Sequence, residues 1–370
     1  MGFLDWHALK HNRRIWKDSF SDLDSFWSKF GEEFEHIDLG ASFIPEVYGF
    51  SPEGRNRALE VLRFMLDEMK IRHVRLGLRW SSIEPIQGQF SLGYYQPFLD
   101  LMQQFEVEIC LGVGAVKTCG WPEEHLPDWI KQIVVLPPKG SLIKHDNLIA
   151  QMGRLYQSSL LDKLHKLKVN GLNITQLQPE NEAFNPFGNH RWTFTNDYLL
   201  QQILLIRNYF PEIQILLNSN GRFDLRKIID LTASLEKLPN CKSKDVVIGY
   251  DYYYTDQWRR YLPGHKLIDS ASLSLPGNPD LKRLWELSSQ FGYQVEVTEA
   301  QAEPWLDLIS PGNSAQEFQF LLRRCTNSIL KNKSGLIRLW GIWQLAEKFL
   351  DQKQNQEHEQ ILQLITKVNT

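Results

Sequence analysis

The chain has no run of about 18 consecutive apolar residues, so no segment reads as a membrane-spanning helix. It has only four cysteines in 370 residues, Cys110, Cys119, Cys241 and Cys325, and none stands in a CxxC or CxxH spacing. That argues against a zinc site and against a disulfide framework in so large a chain. Charge of one sign is also lacking. The net charge is −3 and no basic cluster exceeds a few residues, so no nucleic-acid partner is expected. The opening MGFLDWHALKHNRRIW has no apolar core of a signal peptide, and a cytoplasmic protein is the expectation. No GxGxxG follows the first candidate strand and no HExxH is present, so neither a cofactor nor a catalytic metal is expected. His125 beside Glu123 and Glu124 is the nearest approach to a metal cluster, and no second cluster accompanies it.

What is present is ordinary in bulk and unusual in one respect. The hydrophobic share is 42% and the charged share 23%, as in soluble globular chains. Aromatic residues are abundant, with 12 Trp, 12 Tyr and 20 Phe. Most such rings pack cores. Rings in loops also make flat platforms for sugars, and Trp121, Trp192, Trp258 and Trp305 fall in predicted loops.

After a polar, aromatic-dotted lead-in over residues 1–37, helical around SDLDSFWSKFGEEF, a rhythm repeats eight times. Apolar or β-branched runs lie at 39–44, 73–78, 107–114, 172–178, 213–219, 246–253, 293–299 and 336–343. Each is a candidate strand, and stretches of helical period separate them. SPEGRNRALEVLRFMLDEMK has Ser at the N-cap, Pro at N1 and apolar residues at 59, 62, 66 and 69. Alternating strands and helices imply a parallel sheet covered by helices. Eight units close most naturally into a single (β/α)₈ TIM barrel over residues 38–370, with an open doubly wound sheet as the alternative. The longest strand-to-helix connection, roughly 115 to 145, then lies on the face where barrel chemistry takes place.

In such a barrel the strand C-termini converge on one mouth. Polarity collects there. Strand two ends near Arg75 and Arg79, and strand four ends in QLQPENEAFNP, which carries Glu180, Asn181 and Glu182. Strand five brings Asn218, strand six Asp251 and its run of Tyr, and strand seven Thr298 and Glu299. Two carboxyls facing one aromatic-walled cavity suit glycosidic bond cleavage, one as acid and the other as base or nucleophile.

These segments resemble the clan A glycoside hydrolases, (β/α)₈ enzymes that retain anomeric configuration. The resemblance spans residues 39 to 345 as sparse motifs. It implies that Arg75 of VRLGLRW contacts the nucleophile, and that Trp80, Pro85 and Gly88 form a W-x-x-x-x-P-x-x-G turn. It implies Glu182 as acid/base, Asn181 as holder of the sugar 2-hydroxyl, and Glu299 of VEVTEAQ as nucleophile. GYDYYYT resembles a Gly-x-Asn-Tyr-Tyr segment with Asp251 in place of Asn, and either Tyr252 or Tyr253 is the tyrosine of the site. LWGIWQL resembles the strand-eight segment whose Trp floors the reacting subsite, here Trp343. Trp121 and Trp305 are further candidate platforms. The His-Trp-Asp pattern of β-glucosidases is absent after strand three, where KTCGWPEEHLPDW stands.

The implied partner is a carbohydrate, a β-glycoside or oligosaccharide, with no membrane partner. Glu180 reads as a supporting or rim carboxylate beside Glu182. Two other readings stay open: a carbohydrate-binding barrel without catalysis, and a transglycosidase. A Schiff-base barrel enzyme would need a strand-end lysine, and Lys117 is the one candidate.

Overall fold

Residues 23–120, 122–186, 188–219, 225–237, 245–254, 279–302, 314–330 and 335–370 are described by the structure, a computed structural model. The barrel strands are β1 (Ile37–Phe43), β2 (His73–Gly77), β3 (Glu108–Gly112), β4 (Ile174–Gln178), β5 (Gln214–Ser219), β6 (Val246–Tyr254), β7 (Gln294–Ala302) and β8 (Gly335–Leu339). They close in the order β1-β8-β7-β6-β5-β4-β3-β2, and every neighbouring pair is parallel. The expected barrel is therefore the observed one.

Helices cover the outside. After β1 comes α2 (Pro52–Asp67), and α1 (Leu23–Phe30) precedes the barrel. In α2, Ser51 Oγ accepts the Gly54 N–H at 3.1 Å, as the sequence reading anticipates. Its Ala58, Val61, Leu62, Met65 and Leu66 are buried, one stripe at helical spacing. The lead-in is not a detached arm over its described part. Phe26 and Phe30, with Phe34 beyond the helix, are buried in the same apolar cluster as the barrel wall. Arg323 lies 3.5 Å from the centroid of the Phe30 ring and bridges to Glu33 at 3.1 Å.

The barrel interior is less apolar than its wall. Strand alternation turns residues 214, 216 and 218 of β5 inward, and 247, 249 and 251 of β6. Between two polar layers, Cys110, Leu216 and Val247 form a small apolar cluster of their own. Below it, Arg338 Nη1 donates to Glu296 Oε2 at 2.5 Å and Arg338 Nη2 to Gln176 Oε1 at 2.7 Å. Gln176 Nε2 closes the triangle on Glu296 Oε1 at 2.7 Å. Above it lies the mouth.

One irregularity shapes that mouth. Tyr250 pairs with Val297, but the next residue, Asp251, pairs with Glu299, so Thr298 is an extra residue in β7. The β8 edge shows the same insertion, with Ile337 opposite Val297 and Leu339 opposite Ala300. Glu296 and Glu299 are three apart, an odd spacing that regular alternation sends to opposite faces. The bulge returns both to the interior.

Candidate active site

Arg75 of β2 is fully buried at the centre of the mouth. Its Nη1 donates to Glu299 Oε1 at 2.6 Å and to Ser42 Oγ at 3.3 Å; its Nε donates to Gln178 Oε1 at 2.8 Å; its Nη2 reaches Asn181 Oδ1. Every guanidinium nitrogen is thus engaged, on three different strands and one strand-end loop. Burial opposes its charge, yet the field of Cys119, Glu299 and Asp251 outweighs that, and Arg75 titrates above its ordinary value.

Asn218 of β5 ties the other half together. Its Oδ1 accepts the Glu182 backbone N–H at 2.8 Å and Gln178 Nε2 at 2.6 Å. Its Nδ2 donates to Asn181 Oδ1 at 3.0 Å and to Asp251 Oδ2 at 2.8 Å. Asn181 Oδ1 therefore accepts from Arg75, Asn218 and, at 3.4 Å, Gln178. Because an amide carries its oxygen and nitrogen on opposite sides, this fixes Nδ2 on the side away from those donors. Among the described residues that Nδ2 has no partner.

Glu182 sits in a left-handed backbone conformation, φ 40°, which costs a non-glycine residue about 1–2 kcal/mol. The surroundings hold it there. Besides the Asn218 contact, Asn185 Nδ2 donates to Glu182 Oε2 at 3.0 Å, and buried Lys117 donates to the Glu182 and Asn185 carbonyls at 3.4 and 3.0 Å. Lys117 also pairs with Glu123 at 3.0 Å. It is a brace between the loops after β3 and β4, occupied on three sides, which is not the setting of a Schiff-base lysine.

Glu180 is a second brace. One of its oxygens accepts from Tyr198 Oη and Gln202 Nε2, both at 2.7 Å, and its carboxyl also receives the Lys117 and Val116 N–H groups. Burial raises its pKa, with these donors offsetting part of the shift. The supporting role expected for it is the one it has. The near-metal trio is likewise occupied. Glu124 accepts the Asn189 and His190 N–H groups at 2.6 and 3.2 Å, and His125 Nε2 donates to the Gly120 carbonyl at 3.0 Å. Burial first, then Arg79, lowers the His125 pKa to about 3, so its ring is neutral. Glu123 is raised by burial, offset by Lys117, and feels the charge of Glu299 across the mouth.

The structure brings Arg75, Asn181, Glu182 and Glu299 together and moves two other expected residues. Strand β8 stops at Leu339. Gly341, at φ 75°, turns the chain into the helix Ile342–Leu350, so Trp343 stands on a helix and not on the strand expected to run to 343. It is 7% exposed and packs edge-on against Trp340, centroids 5.6 Å apart, whose N–H donates to the Ala300 carbonyl beside Glu299. Tyr252 alternates with Asp251, which points inward. It is fully buried among the residues of the outer core with Ile248 and Tyr250. That position takes Tyr252 out of the mouth. The Tyr253 side chain, Trp121, Trp258, Glu303 and Trp305 lie outside the described residues. Trp192 is fully buried and stacks on His190, with Nε1 donating to the Pro137 and Pro138 carbonyls, so it is loop packing.

Sequence reasoning passed over Gln178 and Ser42 and left Asn218 and Asp251 without a role. Their signal was weak but present: each is a polar residue in the C-terminal half of a barrel strand.

With this geometry in hand, comparisons with known proteins agree on the type of fold. The glycoside hydrolase family 42 model, described as beta-galactosidase, matches residues 50–134. No curated protein matches the chain. Among solved structures, an exo-beta-1,4-mannosidase from Opitutaceae bacterium strain TAV5 superposes with TM-score 0.54 at 17% identity, covering 82% of this chain and 51% of that one. The chain thus spans about half the length of the mannosidase. An intracellular xylanase from Thermoanaerobacterium saccharolyticum gives TM-score 0.52 at 13% identity, covering 85% of this chain and 88% of that one. A GH5_18 protein from Bifidobacterium longum gives 0.52 at 12%, covering 82% and 69%. The neighbours, all at 17% identity or below, establish the fold, and the family match is confined to residues 50–134. Among the described residues no helix is long and apolar enough to cross a membrane.

Proposed function

We propose that the protein is a retaining glycoside hydrolase that cleaves β-linked glycosides or oligosaccharides by double displacement. The observation that carries this reading is the buried Arg75–Glu299 pair at 2.6 Å, joined through Asn181 to the strand-end loop that holds Glu182. A Glu299 oxygen attacks the anomeric carbon as the glycosidic bond breaks, and the leaving oxygen takes a proton from Glu182. Water then attacks the same carbon, the bond to Glu299 breaks, and Glu182 takes the water's proton. Asn181 Nδ2 is the donor for the sugar 2-hydroxyl, and Trp343 with Trp340 forms the floor of the reacting subsite.

The test is a panel of aryl β-glycosides (glucoside, galactoside, xyloside, mannoside, cellobioside), read for turnover and product anomer. Wild type should release the β-anomer first. Glu299→Gly should be inactive alone and should form an α-glycosyl azide when azide is added. Inversion at the anomeric carbon would refute the mechanism, and glycan binding without turnover on any substrate would favour a binding barrel.

A further inference from the structure

Three carboxyls are buried in the mouth: Glu299 and Asp251 in the field of the Arg75 guanidinium, and Glu182 beside Asp251. Glu299 takes Arg75 Nη1 directly. Asp251 does not have that direct contact. Its Oδ1 accepts from Thr298 Oγ1, its Oδ2 accepts from Asn218 Nδ2, and its carboxyl comes within hydrogen-bonding reach of that of Glu182. Two carboxylates have only acceptors between them, so a hydrogen bond joining two carboxyls requires a proton on one of them. Two carboxyls held at that reach favour a state in which the pair holds at least one proton.

The groups facing Asp251 can be named element by element. Arg75 comes from β2, Glu182 from the end of β4, neutral Asn218 from β5, and Glu299 with neutral Thr298 from β7. Among the described groups named here the cation is Arg75, which is shared with Glu299, and the Glu299 charge acts against a second anion at Asp251.

We propose that Asp251 is a positioning residue that shares one proton with Glu182, fixing that side chain and keeping a proton on the pair while Arg75 neutralises Glu299. This rests on the glycosidase reading for its kinetic consequence, though not for its titration. The pair loses its protons in two coupled steps. The form with one proton is the working acid. Removing the last proton leaves two adjacent carboxylates, which repulsion opposes, so the alkaline limb of kcat/KM stands high. Burial, followed by the Glu299 charge, pushes Asp251 well above the ordinary carboxylate range, in the same sense.

Two substitutions test this with opposite signs. Asp251→Asn keeps the shape, can still accept from Asn218 through its oxygen while its NH2 donates to Thr298 Oγ1, and removes the second carboxyl. The alkaline limb should fall by about one pH unit, since a like charge next to Glu182 is gone. Thr298→Val removes the donor that favours the Asp251 anion, and the limb should rise. A loss of kcat with both limbs unmoved would overturn the proposal.

A second readout needs no substrate. A carboxyl raised in the folded state gives stability that is full below its unfolded pKa of about 3.9 and is lost as pH rises through the folded value. The melting temperature of wild type should therefore fall more steeply above pH ~4 than that of Asp251→Asn. Parallel profiles would overturn the proposal. If wild type cleaves no β-glycoside, the proposed function fails and the melting profiles of wild type, Asp251→Asn and Thr298→Val still decide the protonation of Asp251.

Discussion

The barrel holds two buried Arg–Glu pairs, and they share strand β7. Arg338–Glu296 lies below the Cys110–Leu216–Val247 layer, and Arg75–Glu299 lies above it. The lower pair is closed. One Arg, one Glu and Gln176 bond one another in a triangle whose ionised groups balance, with Arg338 Nε left over. The upper pair is open in charge. Two carboxyls, Glu299 and Asp251, share the field of one Arg with Glu182 beside them, and Asn181, Asn218 and Gln178 link the group. A buried ion pair is weak support for stability in itself, because desolvation offsets most of its attraction. The lower pair limits that penalty by neutralising itself. On the proposed reading the upper one retains surplus carboxyl and with it a mobile proton, which is what acid/base chemistry needs. Similar residue types three positions apart on one strand would then serve structure and chemistry, and charge balance separates them.

The sharpest way to break the comparison is the same substitution at both positions. Glu299→Gln should lower kcat on the order of 10⁴-fold with little change in unfolding midpoint, as expected of a group acting in the transition state. Glu296→Gln should do the reverse. It leaves Arg338 buried and unpaired, which destabilises by roughly 3–5 kcal/mol, read as a lower urea midpoint at unchanged m. The activity of its folded fraction should stay at the wild-type level. If both substitutions abolish activity, the apolar layer does not insulate the two networks.

A double replacement sharpens the point further. Arg338→Met with Glu296→Leu removes both ions of the lower pair, and a stability between unchanged and about 1–4 kcal/mol higher is expected from a well-packed apolar substitute. Chemical denaturation checks it. The corresponding pair of changes at Arg75 and Glu299 would leave no catalyst.

Much of this was legible in the sequence, and the part that was not has physical reasons. The eight strands follow from apolar runs separated by helical periods, since a parallel strand buried on both faces reads as a continuous apolar stretch. Glu182, Asn181, Arg75 and Glu299 were singled out by their place at strand ends, and the fold brings them to one mouth. The bulge at Thr298 was not legible. Counting by twos places Glu296 and Glu299 on opposite faces, and only the inserted residue reconciles them. Trp343 was misplaced because LIRLWGIW is one apolar run in which a buried strand and the first turn of a buried helix look alike. Gly341 was the clue, as a residue suited to a left-handed turn. The support given by Lys117 and Asn218 was invisible, because it depends on which loops meet across the mouth.

The smallest expected effects come from two glycines, one in each layer, and they isolate position from chemistry. A Cβ at Gly40 would lie 2.6 Å from the His73 carbonyl oxygen and 3.2 Å from Arg338 Cγ. A Cβ at Gly249 would lie 2.6 Å from both Thr298 Cγ2 and Thr298 Oγ1, and 3.0 Å from Asn218 Cβ. Both sites are overpacked by one methyl, so Gly40→Ala and Gly249→Ala should each destabilise by about 1–3 kcal/mol. Their kinetics should part. Gly40→Ala displaces the foot of β2 and the Arg338 stem, beneath the apolar layer, and kcat/KM should be unchanged. Gly249→Ala pushes directly on Thr298 and Asn218, the two side chains that hold Asp251. A misplacement well under 1 Å there should lower kcat on the order of tenfold, because catalytic groups tolerate little displacement. Equal losses of stability with unequal losses of rate would show that the mouth is set by its own network. Equal losses of both would mean that the two layers move as one body.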